Sequence, residues 1–235
     1  MSNGCLNAKG YFVTATGTDV GKTFITALLV KKWRDSGIDA GYYKAALSGA
    51  EFKNGHWVAG DADYVKTFAG LSDSEEELVS YVYKEAVSPH LAARKEGNPV
   101  ELSQVKSDFK KAAERHSFVF VEGSGGIICP IRDDVDANGE SCGKKYFLED
   151  IMKAVNLPLL IVTTAALGSI NSCVLTVEYA KSRGLSVRGI VVNRYGDSGN
   201  LEMEDDNMRM MQKITGLEIL AKVRTGDLDL GVLPF

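Results

Sequence analysis

The fold is decided by the stretch "YFVTATGTDVGKTFITALLV", residues 11–30. It opens with a run of apolar and β-branched residues, 11–14, which predicts a β-strand. Apolar residues then recur at helical spacing within residues 22–34, and the segment between is rich in small and polar residues. The sequence therefore predicts a strand, a tight loop and a helix, the unit from which parallel α/β sheets are built.

The end of that loop, Gly21-Lys22-Thr23, is typical of a phosphate-binding loop. Backbone N–H groups at a helix start can bind phosphate oxygens, a lysine adds positive charge, and a threonine hydroxyl can ligate Mg²⁺. The usual motif also has a glycine five places before Gly21, where this chain has Thr16, and Gly17 comes one residue late. The alternative is a tight turn with an incidental lysine. Other segments of the sequence are needed to distinguish a phosphate-binding loop from such a turn.

Size and charge narrow the class of protein. The chain has 235 residues, 45% of them hydrophobic, which predicts one α/β domain over residues 1–235. A formal net charge of -4 leaves no broad basic face, so we expect no nucleic-acid partner. Residues 1–10 lack a signal-peptide pattern, and the longest apolar run, from Leu157, is too short to cross a membrane. The scattered cysteines, Cys5 among them, are typical of a reduced compartment, and we expect a cytoplasmic protein without a membrane partner.

The rest of the chain repeats the alternation of strands and helices. Further strands are predicted at "AGYYKAALSG", "FVFVE", "PLLIVTT", "VRGIVVN" and "LEILAKV", with helices between them. Several are apolar without alternation, as expected when helices cover both faces of a parallel sheet. We therefore predict an α/β fold with a mostly parallel central sheet and helices on both faces. The polar residues 132–145 are predicted to form a surface loop or a hairpin around Asn138-Gly139.

Three charged residues are predicted at the carboxyl edge of the sheet, where open α/β folds bind ligands. Glu122 ends an apolar strand and is a candidate Mg²⁺ ligand, with a turn cap as the alternative. Lys44, four residues before Ser48, would neutralise charge on a transferred phosphoryl group, but its spacing equally permits a solvated surface lysine. Asp61 opens a predicted helix, where local grounds favour a cap and a nearby Mg²⁺ would make it a ligand.

Seven landmarks match one family in order. They are "YFVTATGTDVGKT", "GYYKAALSG", "GDAD", "VSPHLAARKEGNPVE", "VFVEGSGG", "LGSIN" and "GIVVN". Over nearly its whole length the chain resembles the dethiobiotin synthetases, ATP-dependent enzymes of biotin synthesis with a P-loop NTPase fold. In that family the loop is one residue longer than the standard motif, and its first glycine position falls at Ala15. This accounts for the departure of this loop from the standard motif.

The resemblance implies an ATP- and Mg²⁺-dependent reaction in which CO₂ and 7,8-diaminononanoate form a carbamate, a mixed anhydride with phosphate, and then the cyclic urea dethiobiotin. The implied catalytic residues are Lys22 and Lys44, and the implied metal ligands are Thr23, Asp61 and Glu122. The implied nucleotide contacts are Asp19, Val20, Gly21, Lys22, Thr23, Phe24, Asp61, Glu122, Gly123, Gly125 and, at the adenine edge, Asn193. The implied substrate contacts are Thr18, Ser48, Gly168, Ser169, Ile170 and Asn171.

The family also implies a homodimer with sites at the subunit interface. Residues 168–171 begin a helix, and free N–H groups there would meet the substrate carboxylate bound on the other subunit. The chain departs from the family at Ala45, where proline is frequent, and at Ser172, where histidine is frequent. The segment "AKVRTGD" also lacks the proline-containing stretch that usually borders the base.

Other functions compete with this one. A partition or positioning ATPase, which acts as a dimeric switch, would carry a signature lysine where this chain has Gly17. An amidotransferase-type ligase of cobalamin synthesis would add a cysteine–histidine glutaminase domain that these 235 residues do not include. A GTPase would need N-K-x-D, which "NRYGD" imitates only loosely.

Overall fold

Strands and helices alternate along most of the chain. The structure, a computed structural model, describes residues 8–53, 55–231 and 233, so Cys5 and residues 1–7 lie outside it. The strands are β1 (Gly10–Ala15), β2 (Ala40–Ser48), β3 (Glu51–Lys53), β4 (His56–Val58), β5 (Val79–Tyr83), β6 (Phe118–Glu122), β7 (Pro130–Val135), β8 (Ser141–Phe147), β9 (Leu159–Thr163), β10 (Val187–Val192) and β11 (Ile219–Lys222). The helices are α1 (Lys22–Asp35), α2 (Gly60–Ala69), α3 (Glu75–Leu78), α4 (Pro89–Glu96), α5 (Leu102–Arg115), α6 (Leu148–Val155), α7 (Ser169–Ser182) and α8 (Leu201–Thr215).

Seven of the strands form one parallel sheet in the order β11-β10-β9-β1-β6-β2-β5. The predicted α/β fold with a mostly parallel sheet is confirmed. Strand β1, which leads into the phosphate loop, lies in the middle, so the loop is flanked by the carboxyl ends of its neighbours β6 and β9. That placement is what brings residues distant in sequence to one edge.

Helices pack on both faces of the sheet. Neighbouring residues of a strand point to opposite faces, so Tyr42 belongs to the core under α1 and α2 while Tyr43 belongs to the core under α5 and α6. Every residue of β9 is buried, as the unbroken apolar run "PLLIVTT" predicts. Among the described helices, none has both the length and the apolar character needed to span a bilayer.

Two antiparallel hairpins stand outside the main sheet. Residues 132–145 fall within the hairpin β7–β8, so the hairpin alternative is the right one. Its turn is held by Asp136, whose Oδ1 accepts hydrogen bonds from the N–H groups of Asn138 and Glu140. The second hairpin, β3–β4, and the edge strand β5 are additions that the sequence analysis missed, since both are short and only partly apolar.

Candidate functional site

A cavity of about 920 Å³ opens at the carboxyl edge of the sheet, between the phosphate loop and the ends of β2 and β6. It is lined by these predicted site residues: Thr18, Asp19, Gly21, Lys22, Thr23, Lys44, Ser48, Asp61, Glu122 and Gly125. An adjoining cavity of about 390 Å³ shares several of them and adds Phe24. The fold therefore gathers segments from four separate parts of the sequence around one space.

The phosphate loop has the backbone that its sequence requires. Gly21 precedes the first residue of α1 and has φ 85°, a left-handed conformation that favours glycine. A Cβ at Gly21 would lie 2.1 Å from Nδ2 of Asn193. The same Nδ2 donates a hydrogen bond of 2.9 Å to the carbonyl of Val20. Asn193, the residue that follows β10, thus stabilises the phosphate loop from the side of the sheet.

Lys44 and Glu122 are brought together by strand register. They are paired neighbours on the parallel strands β2 and β6, and Nζ of Lys44 lies 2.8 Å from Oε1 of Glu122. Lys44 also donates to Oδ2 of Asp61 at 2.5 Å. Lys44 is 3% exposed, so the solvated-lysine alternative is wrong. Glu122 is 2% exposed, and its carboxylate accepts from the side chains of Thr23 and Lys44, so the described contacts give the turn-cap alternative no support. Two charges this deeply buried require each other, because an unpaired buried charge is costly.

The two lysines of the site have different electrostatic surroundings. Burial favours the neutral form of Lys44, but Glu122 and Asp61 outweigh it, and the pKa of Lys44 is raised above its ordinary value. The pKa of Lys22 is lowered, chiefly by burial, with Glu122 and Asp61 opposing and Lys44 adding to the effect. Lys22 is 8% exposed, and its ammonium forms no hydrogen bond with another described residue. Lys44 is neutralised in place, whereas Lys22 is available to an anion.

Three oxygen-bearing side chains converge where a magnesium ion is expected. Oγ1 of Thr23 donates to Oε1 of Glu122 at 2.9 Å, and Asp61 shares the Lys44 ammonium with Glu122. Burial raises the pKa of Asp61, but Lys44 outweighs it and the pKa is lowered. Because both carboxylates already face one cation and are hard oxygen donors, the set fits Mg²⁺. Asp61 is not a helix cap, since α2 has no side-chain cap and its N-cap position is Ala59.

Three predicted nucleotide contacts, Val20, Gly123 and Asn193, line neither of the two cavities. Gly123 is buried, and a Cβ there would lie 3.0 Å from Leu148 and Phe12, so this glycine permits close packing. Asn193 is 3% exposed, with Nδ2 on the loop and Oδ1 buried without a partner among the described residues. The structure gives Asn193 a contact with the phosphate loop, and its contact with adenine stays a prediction.

The start of α7 lies apart from the phosphate loop in one chain. Gly168, Ile170 and Asn171 line a different cavity, of about 440 Å³, and Ser169 is buried beside it. Exposed apolar side chains surround this second cavity: Leu167 (89% exposed), Leu175 (62%) and Ile214 (49%). The predicted substrate-carboxylate segment is therefore not part of the site that a single chain forms.

The structure also places residues at the site that the sequence analysis missed. Tyr42, inside the landmark "GYYKAALSG", donates to Oε2 of Glu122 at 3.1 Å, and its spacing two residues before Lys44 was the signal that could have revealed it. Arg194 lines the cavity with φ 57°. Cys129 lines it as well, and burial raises the pKa of this thiol to about 11, so it stays protonated at neutral pH.

Comparisons with known proteins identify the family of the chain. A family model described as an AAA domain matches residues 9–227. The ATP-dependent dethiobiotin synthetase of Brachyspira hyodysenteriae is 48% identical over 223 residues, covering 95% of each chain. That of Clostridium botulinum strain Eklund 17B is 46% identical over 212 residues, covering 90% of this chain and 89% of the relative.

Solved structures share the P-loop NTPase fold at low identity. A chain of the MinC:MinD cell division complex of Aquifex aeolicus has a TM-score of 0.54 at 14% identity, covering 92% of this chain and 81% of that one. FtsY of Mycoplasma mycoides has a TM-score of 0.52 at 15% identity, covering 98% of this chain and 65% of that one. Likeness at this level shows the fold alone, whereas the identity to the synthetases extends over nearly the whole sequence. The chain belongs to the family of ATP-dependent dethiobiotin synthetases.

Proposed function

We propose that the protein catalyses the ATP- and Mg²⁺-dependent carboxylation and ring closure of 7,8-diaminononanoate to dethiobiotin. The observation that carries the proposal is the convergence of Lys22, Lys44, Asp61 and Glu122 on one cavity beside a phosphate loop. The names of the relatives, ATP-dependent dethiobiotin synthetases, support ATP as the nucleotide and dethiobiotin as the product. The arrangement suits a phosphoryl transfer in which the protein positions reactants and stabilises charge.

The proposed reaction has three steps and no covalent bond to the enzyme. One amine of the substrate adds to CO₂ and loses a proton to give a carbamate. A carbamate oxygen attacks the γ-phosphorus of ATP, and ADP leaves. The second amine then attacks the carbonyl carbon of the anhydride, the C–O bond to phosphate breaks, and the ring closes as a proton is lost. The protonated thiol of Cys129 has no part in these steps.

Each lysine has a distinct role in this proposal. Lys22 and the N–H groups at the start of α1 hold the γ-phosphate, because within the described part of the chain no carboxylate forms a hydrogen bond with the Lys22 ammonium. Lys44, at the end of β2 and four residues before Ser48, meets the carbamate while Ser48 contacts the nitrogen end of the substrate. Two cations on opposite sides of the transferred group offset the charge that develops on it.

Thr23, Asp61 and Glu122 would hold the magnesium ion, which when bound supplies positive charge to the nucleotide phosphates. The remaining loop residues, Asp19 and Val20 among them, would contact the nucleotide through their backbone. Thr18, at the cavity wall, would face the substrate. All of these groups belong to α1, to α2, to the end of a strand, or to the loop between β1 and α1. Their positions are therefore fixed by helices and strands.

The proposal includes a homodimer. Residues 168–171 of one copy would bind the substrate carboxylate in the phosphate-loop cavity of a second copy. Two observations support it: these residues line a cavity separate from the phosphate loop, and exposed Leu167, Leu175 and Ile214 surround them. Apolar side chains exposed together in this way are typical of a surface that another protein covers.

The proposal is tested by measuring phosphate release with ATP, Mg²⁺, bicarbonate and 7,8-diaminononanoate, leaving out one component at a time. We expect release to require all four and dethiobiotin to form in equal amount. Release that ignores the diamine would contradict the proposal and would point to a nucleotide-driven switch of the partition type. A requirement for glutamine in place of bicarbonate would point to an amidotransferase.

A further inference from the structure

Tyr42 lies beneath the phosphate-loop cavity and is fully buried. It precedes Lys44 by two residues on β2, so both side chains leave the same face of the sheet. Its hydroxyl lies 3.1 Å from Oε2 of Glu122. Since an ionised carboxylate can only accept, the tyrosine is the donor in this hydrogen bond.

The two oxygens of Glu122 face different surroundings. Oε1 accepts from Thr23 and from Lys44, and both of these side chains line the cavity. Oε2 accepts from Tyr42, which does not line it and has no exposed surface. The carboxylate is therefore oriented with one oxygen toward the cavity and the other toward the core.

We propose that Tyr42 is a positioning residue that holds Glu122 so that a single oxygen is presented to the magnesium–nucleotide complex. The proposal rests on the function proposed above and adds a residue for which neither the motif nor the family resemblance gives a role. Mg²⁺ is sensitive to the placement of its oxygen ligands, so a carboxylate held in one orientation would bind it more tightly. Outer partners of this kind typically change metal affinity by about 10- to 100-fold when they are removed.

Removing the hydroxyl would leave Oε2 buried without a donor. The carboxylate would then be held through Oε1 alone, by Thr23 and Lys44, and its orientation would be less fixed. The loss of the Tyr42 hydroxyl would weaken Mg²⁺ binding most, because Glu122 must be correctly oriented to bind the ion. Tyr42 would consequently affect the magnesium requirement more than the binding of nucleotide alone.

The next residue on the strand provides a matched control. Tyr43 is equally buried, but its hydroxyl contacts Oγ of Ser80 at 2.6 Å and the carbonyl of Val105 on the opposite face. Tyr43→Phe makes the same chemical change in the same strand and also removes a buried hydrogen bond. It leaves Glu122 and its partners intact.

The experiment compares wild type, Tyr42→Phe and Tyr43→Phe. Mg²⁺ is titrated calorimetrically into each protein with the β,γ-imido analogue of ATP present, and analogue binding is also measured with EDTA. For Tyr42→Phe we expect the apparent Mg²⁺ affinity to fall about tenfold, and the Mg²⁺ concentration for half-maximal phosphate release to rise to match. Analogue binding in EDTA and the melting temperature should change alike in the two variants.

Other results would contradict either the role of Tyr42 or the proposed function. Equal Mg²⁺ affinities in the two variants would overturn the role of Tyr42, even if both had lost stability. A loss of analogue binding in EDTA that is specific to Tyr42→Phe would overturn it as well, because the tyrosine would then support the loop and not the metal ligand. A wild-type protein that binds no Mg²⁺ with the analogue, or releases phosphate without the diamine, would instead overturn the proposed function itself.

Discussion

Strands β2 and β6 carry a cluster of charged side chains at each end, and only one of these clusters borders the phosphate-loop cavity. At the carboxyl end, Lys44 of β2 pairs with Glu122 of β6. At the amino end, His116 lies just before β6 and its ring nitrogens lie 3.0 Å from Asp39 and 2.9 Å from Asp73. The same two strands therefore position two ion clusters from opposite ends of the sheet.

The difference between the clusters lies in what surrounds the charges. At the amino end the space is filled, since a Cβ on Gly41 would lie 2.1 Å from the ring of His116. Arg115 also donates to Asp73 there, at 3.2 Å. At the carboxyl end a cavity opens beside the pair. Lys22 lines this cavity, and among the described residues no carboxylate is in hydrogen-bond contact with its ammonium. Carboxylates are paired with basic side chains at both ends, but at the carboxyl end a further cation, Lys22, borders an open cavity. This difference is why we propose the binding site at that end.

The largest expected effect comes from replacing Lys44 by methionine. We expect turnover to fall by on the order of 10²- to 10³-fold, because charge on the transferred group loses one of its two cations. Nucleotide binding should largely remain, since Lys22 and the loop are intact. The measurement is diamine-dependent phosphate release together with calorimetric binding of ATP and Mg²⁺.

Arg115→Met is the counterpart of that variant at the amino end. It also removes a cation from a buried carboxylate, Asp73, so we expect a loss of stability of about 1–3 kcal/mol. Turnover should stay within about twofold of wild type. If Lys44→Met kept its rate, or if Arg115→Met lost as much as Lys44→Met, the distinction between the two ends would fail.

Glycine-to-alanine substitutions at the two ends of the sheet provide a second comparison of the two clusters. In Gly21→Ala the new Cβ would meet Asn193 at 2.1 Å in a residue with φ 85°, so the loop must move. We expect nucleotide affinity to fall about tenfold or more, since loop N–H groups within reach of phosphate would be displaced. Calorimetric titration with the ATP analogue and Mg²⁺ measures this.

Gly41→Ala should have the smaller and purely structural effect. The Cβ would overlap the ring of His116, and overpacking of this kind costs about 1–3 kcal/mol. Urea unfolding should show that loss, while analogue affinity and turnover stay near those of wild type. A binding defect in Gly41→Ala equal to that of Gly21→Ala would show that the two ends are coupled through β2.

Much of the carboxyl edge could be predicted from sequence because its signals are local. The stretch around Gly21 specifies strand, loop and helix, and a polar or charged residue at the end of an apolar strand, as at Glu122, marks the edge that binds ligands. With one sheet expected, Lys44 and Glu122 could be placed at the same edge. Their direct pairing required the strand order β1-β6-β2, which no local pattern encodes.

What escaped prediction depends on side chains that meet across the sheet. The hydrogen bond from Tyr42 to Glu122 joins residues 80 apart, and the amide of Asn193 reaches Val20 across 173 residues. For Asp61 a local signal was present but misleading. Its position at the start of a helix favoured a cap, whereas in the structure its side chain contacts Lys44. The amino-end cluster gave no sequence signal, because Asp39, Asp73 and His116 lie in irregular segments between helices and strands, with no shared spacing.

The smallest expected effect concerns Asp73, and it depends on pH. Burial raises the pKa of this carboxyl, but His116 and Arg115 outweigh it, so the folded-state pKa lies below the ordinary value of 3.8. The charged form therefore stabilises the fold fully above the unfolded pKa, and that contribution is lost as pH falls through the folded pKa. We expect Asp73→Asn to lower the free energy of unfolding by about 1 kcal/mol near neutral pH, because the amide oxygen can still accept from Arg115, and the gap to wild type should narrow below about pH 4. Urea unfolding of both proteins across this range measures the gap. A gap that stayed constant into acid would mean that Asp73 contributes through packing alone, and a change in turnover at neutral pH would mean that the amino end is not separate from the site.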